Sequence, residues 1–377
     1  MSSLTARYGL QMSTIIDRQP SVAKYICLAQ DLRNHIMEGR LKPGDRLPSF
    51  VELRNKHQVS RGTVEKVHEV LERDGLIIRE QGRGVFVAHP KGREVSGVIA
   101  LAGGGFSETR ISLFWSHLLC GIQEAAFERK MQLLLVNEHV ESGVLDKVDG
   151  LLFSVNEEDI YETLGRIPMG LPCVSMLTPV DELSSVLPDD VQGAEDATRH
   201  LLKLGHRSIG HLVAGKKQLV ENRLAGYRRA MNDYGIEPHL AWVRQLRPRA
   251  NCPNSKDEFV DQGRKTIREW LRTNWNETQC SAIVVQNDPA AIGAIEELQA
   301  SGIRVPEDVS VVGYDGIEAY DYFTPRLTTV EVPIKEVGYA AVGLLSRQIE
   351  STSSITETIT LPARLRVGES TCVANSG

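Results

Sequence analysis

The sequence lacks the long apolar runs of a membrane protein. None of its 377 residues fall in an apolar run near the ~18 residues that a spanning helix needs. Residues 1–20 contain no continuous apolar stretch and no small-residue cleavage site, so they do not resemble a secretory signal. We therefore expect a cytoplasmic protein in which residues 1–20 form a flexible extension before the first helix.

Motifs for metal binding and catalysis are also missing. The six cysteines form no CxxC pair, and the ten histidines form no HExxH or similar ligand pattern. Gly103-Gly104-Gly105 lacks the GxGxxG spacing of a phosphate loop, and no GxSxG nucleophile elbow is present. We expect free thiols, no metal, no cofactor, no catalytic residue and no enzymatic activity.

Charge is distributed unevenly along the chain. Residues 1–92 contain 15 Lys+Arg against 10 Asp+Glu, whereas the remaining residues contain 28 against 39. A basic N-terminal part joined to an acidic body predicts that any surface for a polyanion lies at the N-terminus. The length itself predicts two or three domains.

Residues 21–88 have the pattern of a winged helix-turn-helix. Ser21, Ser49 and Ser60 each precede a run with helical spacing, and serine is a preferred N-cap. Two short strand runs, 76–78 and 85–87, flank a glycine-rich hairpin tip. From the second helix we predict that Val51 and Leu53 point inward. On the third helix the predicted exposed face carries Arg61, Gly62, Thr63, Glu65 and Lys66.

This stretch resembles the DNA-binding domain of the GntR family at PGDRLPS, EL, VSRxTV, LxxDGLI and GRGVFV. Two positions depart from the family pattern. Val51 and Glu65 stand where arginines are usual, and a carboxylate at Glu65 would repel phosphate but could accept from cytosine N4. Together, the pattern and the resemblance predict DNA contacts at Arg46, Ser49, Ser60, Arg61, Thr63, Lys66, Gly82 and Arg83.

After a polar linker, 89–95, short apolar runs alternate with amphipathic helices over about 270 residues. This alternation predicts α/β architecture with doubly wound parallel sheets, in which ligands bind at the carboxyl ends of strands. Asn287 and Asp315 end two such strand runs, and Arg223 begins a helical run. These groups can hydrogen-bond hydroxyl pairs, although Asp315 could instead cap a helix and Arg223 could pair with Glu221.

Residues 96–370 resemble the effector-binding domain of the LacI family, which is periplasmic-binding-protein-like and has two lobes. Four long segments carry the resemblance: PDDVQGAEDATRHLLKLGHRSIG, ENRLAGYRRAM, VVQNDPAAIGAI and GIRVPEDVSVVGYDGIEAYDYFTPRLTTV. The resemblance implies lobe 1 at about 96–186 and 333–360, lobe 2 at about 187–332 and 361–370, and a tail, 371–377. It also implies effector contacts by Phe114, Trp115, Arg223, Asn287 and Asp315.

Three features depart from the LacI pattern. Leu177 stands where the family often has an acidic residue, Val332 where it can have glutamine, and 247–256 does not align. Phe114 and Trp115 could also be ordinary core residues.

A GntR-type head on a LacI-type sensor is known from arabinose-responsive repressors. We therefore expect a ligand-responsive transcriptional repressor, a homodimer that binds operator DNA and a carbohydrate and makes no membrane contact. Alternatives are a purine or a sugar phosphate as corepressor, the latter near Lys216-Lys217. Two other classes remain: an aminotransferase-like enzyme with a GntR head, and a transport sugar-binding protein.

Overall fold

The computed structural model describes residues 21–37, 40–42, 44–80, 84–88, 96–103, 112–136, 142–154, 167, 170–181, 183–215, 217–246, 258–318, 321–350 and 356–375. Contacts divide the chain into two units, 1–96 with 164–171 and 97–163 with 172–377. Within these described ranges, no helix is long and apolar enough to cross a membrane.

The N-terminal unit is a winged helix. Its elements are α1 (Ser21–Met37), α2 (Phe50–His57), α3 (Arg61–Arg73), β1 (Ile77–Glu80) and β2 (Gly84–Val87). The two strands form an antiparallel hairpin in which Ile77 pairs with Val87. This part of the predicted fold is therefore confirmed.

Serine caps define the starts of the second and third helices. The Ser49 hydroxyl accepts from the Glu52 amide, and the Glu52 carboxylate accepts from the Ser49 amide, which is a complete capping box. The Ser60 hydroxyl accepts from the Thr63 amide at the start of α3. Gly75, with φ of +69°, follows α3 in the left-handed conformation typical of helix ends.

The core of this unit differs from the sequence prediction at two positions. Leu53 is buried as expected, but Val51 is 55% exposed, because residues two apart on a helix point to opposite sides. The prediction for Val51 was wrong. Thr63, predicted to be exposed, is buried because it lies one helical turn from Val67 on the core-facing side of α3.

The second unit contains two six-stranded sheets. The strands of the first sheet are β3 (Val98–Gly103), β4 (Gln132–Val136), β5 (Gly150–Ser154), β6 (Cys173–Met176), β7 (Ser184–Pro188) and β13 (Thr358–Leu361). Those of the second are β8 (Ile209–Val213), β9 (Val243–Gln245), β10 (Ala282–Val285), β11 (Ser310–Asp315), β12 (Thr328–Glu331) and β14 (Arg364–Arg366). The order is β13-β7-β6-β5-β3-β4 in the first sheet and β14-β12-β11-β10-β8-β9 in the second. Among the described residues, every strand pairing in these two sheets is parallel except that of β14 with β12.

Helices cover these sheets in the expected α/β arrangement. They are α4 (Leu113–Glu128), α5 (Ser142–Leu145), α6 (Asp190–Lys203), α7 (Lys217–Asp233), α8 (Glu258–Thr273), α9 (Trp275–Thr278), α10 (Asp288–Ala300) and α11 (Ile334–Glu350). Helix pairs pack closely through glycine. A Cβ added to Gly121 of α4 would lie 1.9 Å from the Lys335 carbonyl oxygen of α11.

The chain passes between the two sheets three times, after β7, after β12 and after β13. Two sheets joined by three such segments form the two-lobed periplasmic-binding-protein-like arrangement, so the predicted fold class is confirmed. In this arrangement the carboxyl ends of parallel strands in each lobe meet at one edge.

Candidate DNA-binding surface and effector cleft

The exposed face of α3 carries a connected set of side chains. Arg61 is 80% exposed, and its Nε donates to Glu65 Oε1 at 3.0 Å. The guanidinium carbon also lies 5.6 Å from the centre of the Phe50 ring of α2. Lys66 points the other way, with Nζ 5.7 Å from the centre of the Tyr25 ring of α1. The start of α3 therefore presents two cations, one of which contacts both a carboxylate and an aromatic ring.

Three of the predicted DNA contacts have structural tasks of their own. The Ser49 and Ser60 hydroxyls cap α2 and α3, and the Thr63 hydroxyl lies 2.8 Å from that of Ser60. Ser49 and Ser60 remain exposed, so each can still meet a phosphate. Thr63 is buried, so its main role is to hold the start of the helix.

Arg46 lies beside the wing. It forms an isolated antiparallel bridge with Phe86 of β2, and a Cβ on Gly84 would lie 2.9 Å from Arg46 Nε. The arginine side chain thus lies against the backbone where the wing begins. Gly82 and Arg83, the predicted tip contacts, lie outside the described residues.

Three of the five predicted effector residues lie at one edge of the second sheet. β10 pairs in parallel with both β8 and β11, so their carboxyl ends share one edge. Asn287 follows β10, Asp315 ends β11, and Arg223 lies on α7, which follows β8. This edge therefore combines an amide, a carboxylate and a guanidinium group.

Arg223 connects three elements at that edge. Its Nε donates to Asp190 Oδ1 at 2.9 Å, and Nη1 donates to the Gln286 carbonyl oxygen at 2.5 Å. The guanidinium carbon lies 3.5 Å from the centre of the Tyr314 ring. The alternative pairing with Glu221 does not occur, since Glu221 instead contacts Lys217 at 3.8 Å. Nη2 of Arg223 has no hydrogen bond within the described part of the chain and remains available to a ligand.

Asp315 is the least satisfied of the three groups. It is half-buried, and among the described residues no group donates a hydrogen bond to its carboxylate. Its backbone φ of +107° is unusual for a residue other than glycine. Burial raises the pKa of Asp315 well above its ordinary value; Arg223 opposes this rise, and Asp288 and Asp190 add to it.

Asn287 has a double role. Its Oδ1 accepts from the Ala290 amide at 2.9 Å and so caps α10. Helix capping was the alternative considered for Asp315, but at this edge Asn287 performs it. The Nδ2 amide group makes no hydrogen bond in the described ranges and can donate to a ligand.

The two predicted aromatic contacts lie beside the first sheet. Phe114 and Trp115 begin α4, which follows β3, and their ring centres lie 5.7 Å apart in an edge-to-face arrangement. Both are half-buried and pack against the core, so each combines a core role with an accessible edge. Two positions that depart from the LacI pattern are also described: Leu177 follows β6 with a φ of +67°, and Val332 is buried.

Four further residues lie at the polar edge and were not predicted from the sequence: Asp190, Gln286, Asp288 and Tyr314. Asp288 is buried, accepts from the Thr329 hydroxyl at 2.5 Å and from the Ile317 amide at 2.7 Å, and burial raises its pKa to about 7. The dipeptides Asp189-Asp190 and Asn287-Asp288 at helix starts were the available signal. Nothing in the sequence indicated which acid pairs with Arg223.

Comparisons with known proteins agree with both halves of the chain. The family described as "Bacterial regulatory proteins, gntR family" matches residues 24–87, and the family described as "Periplasmic binding protein-like domain" matches residues 198–371. The arabinose metabolism transcriptional repressor of Geobacillus stearothermophilus is 28% identical over 89% of this chain and 94% of its own length. The chain is a GntR-headed transcriptional regulator with a LacI-like sensor.

Two further comparisons concern this sensor. The HTH-type transcriptional repressor PurR of Vibrio vulnificus is 27% identical over 63% of this chain and 72% of its own length. A LacI family transcriptional regulator from Enterococcus faecium, solved with bound ribose, is 26% identical and superimposes with a TM-score of 0.60 over 74% of this chain and all of its own. These relatives of the GntR-headed regulator are transcription factors rather than enzymes.

Proposed function

We propose that the protein is a cytoplasmic repressor that binds operator DNA through its winged helix and is released from it by a carbohydrate bound between the two sensor lobes. The support comes from two sources. The relatives include an arabinose metabolism repressor and a regulator solved with ribose. The sensor offers a carboxylate, an amide donor and a guanidinium donor at one sheet edge.

The effector proposal rests mainly on Asp315, whose half-buried carboxylate receives no hydrogen bond from the described residues. A half-buried carboxylate without a donor is costly, and a hydroxyl group of a ligand would supply the missing hydrogen bond. The free Nη2 of Arg223 and Nδ2 of Asn287 are donors for the oxygen atoms of the same ligand. Phe114 and Trp115 would cover its C–H faces from the other lobe.

For DNA, we propose that α3 enters the major groove with Arg61 towards the bases. Ser49, Ser60, Lys66 and Arg46 would contact phosphates on either side, since exposed hydroxyls and cations suit phosphate oxygens. We also propose the wing-tip contacts of Gly82 and Arg83.

We further propose a homodimer whose contacts lie on lobe 1, which comprises residues of about 96–186 and 333–360. Lobe 2 comprises residues of about 187–332 and 361–370. β4 is an edge strand of the first sheet, and Leu134 and Leu135 on it are exposed, as is Phe127 of the adjacent α4. Exposed apolar groups on an open sheet edge favour coverage by another chain. Lobe closure on the effector would then change the spacing of two winged helices on a pseudo-palindromic operator.

A thermal-shift panel tests the effector class. The purified chain is heated with arabinose, ribose and other sugars, with sugar phosphates, and with adenine and guanine. A ligand that binds only the folded state raises the Tm by mass action. We expect a shift with one sugar, lost in Asp315→Asn and kept in Asp308→Asn, which removes an exposed carboxylate of the same lobe. A shift with a purine or a sugar phosphate alone would overturn the carbohydrate proposal and favour the corepressor alternative.

A further inference from the structure

We propose that Glu65 and Arg61 act as one unit that determines the operator sequence, with Arg61 donating to a guanine and Glu65 accepting from the N4 amino group of a cytosine within one base-pair step of it. This inference rests on the proposed docking of α3 in the major groove.

The geometry of the pair supports joint recognition. Arg61 Nε and Glu65 Oε1 lie 3.0 Å apart, so the guanidinium and the carboxylate lie side by side on the exposed face of α3. The internal hydrogen bond occupies only Nε and one carboxylate oxygen. The described residues form no other hydrogen bond with these two side chains, so Nη1 and Nη2 of Arg61 can donate to guanine O6 and N7, and Oε2 of Glu65 can accept from an amino group.

Phe50 completes the unit. Its ring is half-buried in the core of the winged helix, and the Arg61 guanidinium carbon lies 5.6 Å from the ring centre. An exposed arginine ordinarily samples many rotamers, and fixing it costs free energy on binding. The ring on one side and the carboxylate on the other hold Arg61 in place before DNA arrives.

The Glu65 carboxylate also determines which bases the Arg61–Glu65 pair disfavours. Near the phosphate backbone a negative charge weakens binding to every sequence, so Glu65 is favourable only where a base donates to it. Cytosine N4 and adenine N6 are the donors in the major groove. Guanine and thymine present acceptors at the corresponding positions and would repel it. Adenine presents the N7 acceptor beside its N6 donor, and this acceptor would repel the carboxylate. Cytosine therefore fits Glu65 better than adenine does.

The test is selection of binding sites from random DNA by wild type, Glu65→Gln and Glu65→Ala. Glutamine keeps the size but adds a donor, so Glu65→Gln should shift one position from cytosine towards adenine. Glu65→Ala should lose discrimination at that position by roughly fivefold or more, which is the lower end of what one base contact supplies. The other positions of the site should stay unchanged.

The chain offers a matched control. Glu72 and Arg79 form an exposed pair at 2.7 Å in the same unit, away from the start of α3. Glu72→Gln removes the same charge and should leave the selected sequence unchanged. If Glu65→Gln and Glu65→Ala bind all sequences more tightly with the same preference, Glu65 only masks Arg61 and the proposal is wrong. If wild type itself selects no sequence, the proposed operator recognition fails as well.

Discussion

Replacing Arg223 tests whether the buried ion pair organises the sensor. Arg223 and Asp190 are each only 6% exposed at their side chains, and their contact is 2.9 Å. Arg223→Met keeps much of the side-chain volume but leaves the Asp190 carboxylate buried without its partner. Breaking a buried pair from one side costs about 3–5 kcal/mol. The Gln286 carbonyl also loses its hydrogen-bond donor, so we expect the free energy of unfolding to fall by an amount within that range rather than below it.

Removing both charges should cost less than the two single changes together. In Asp190→Ala with Arg223→Met no buried charge is left alone, and replacement of a whole buried pair is often nearly neutral. A double-mutant cycle should therefore give a coupling free energy of about 2 kcal/mol or more between the two positions, within the range found for contacting residues.

Tryptophan fluorescence is the appropriate readout for urea unfolding. All four tryptophans, at positions 115, 242, 270 and 275, lie in the sensor unit, so the signal excludes the winged helix. This matters because proteins with several domains need not unfold in one step. A loss below about 1 kcal/mol for Arg223→Met, or costs that simply add in the double variant, would refute the reasoning.

The remaining predictions concern DNA, ligand and pH. Arg61→Ala should lower operator affinity by about 1–3 kcal/mol in a gel-shift titration while effector binding stays intact, and unchanged DNA affinity would remove Arg61 from the interface. Asp315→Ala should abolish the effector response without loss of DNA binding, and a normal response would exclude it from the cleft. Because burial raises the pKa of folded Asp315, the folded state holds its proton longer than the unfolded chain, and this group lowers stability as pH rises above about 4. Asp315→Asn should therefore be more stable than wild type at pH 8, with an advantage in urea unfolding that shrinks towards pH 5. An equal difference at both pH values would contradict this cause.

Local rules predicted much of the winged helix. Ser49 and Ser60 cap helices because the serine side chain satisfies a free backbone amide, and this depends on few neighbours. The burial of Val51 and Thr63 was predicted wrongly because the buried face of a helix depends on the elements that pack against it. A pattern of three or four apolar residues leaves that face uncertain by a residue.

In the sensor, periodicity predicted the central strands but not the partners of polar groups. The strand centres 282–285 and 311–314 are short runs without a charged residue and mostly apolar, as expected for strands covered on both faces. The short strands β9 and β14, three residues each, give no such pattern. Arg223 and Asp190 are 33 residues apart and meet only through the packing of α6 on α7, so sequence spacing could not pair them.

The most direct test of regulation is a fluorescence-anisotropy titration of the selected operator DNA with and without the sugar found by thermal shift. Release by the sugar requires a coupling free energy of about 1–3 kcal/mol, a 5- to 150-fold rise in the Kd for DNA. The same sugar should have no effect on the DNA affinity of Asp315→Ala. An operator Kd that stays constant at saturating sugar would contradict the proposed coupling, and a tighter Kd would make the ligand a corepressor instead.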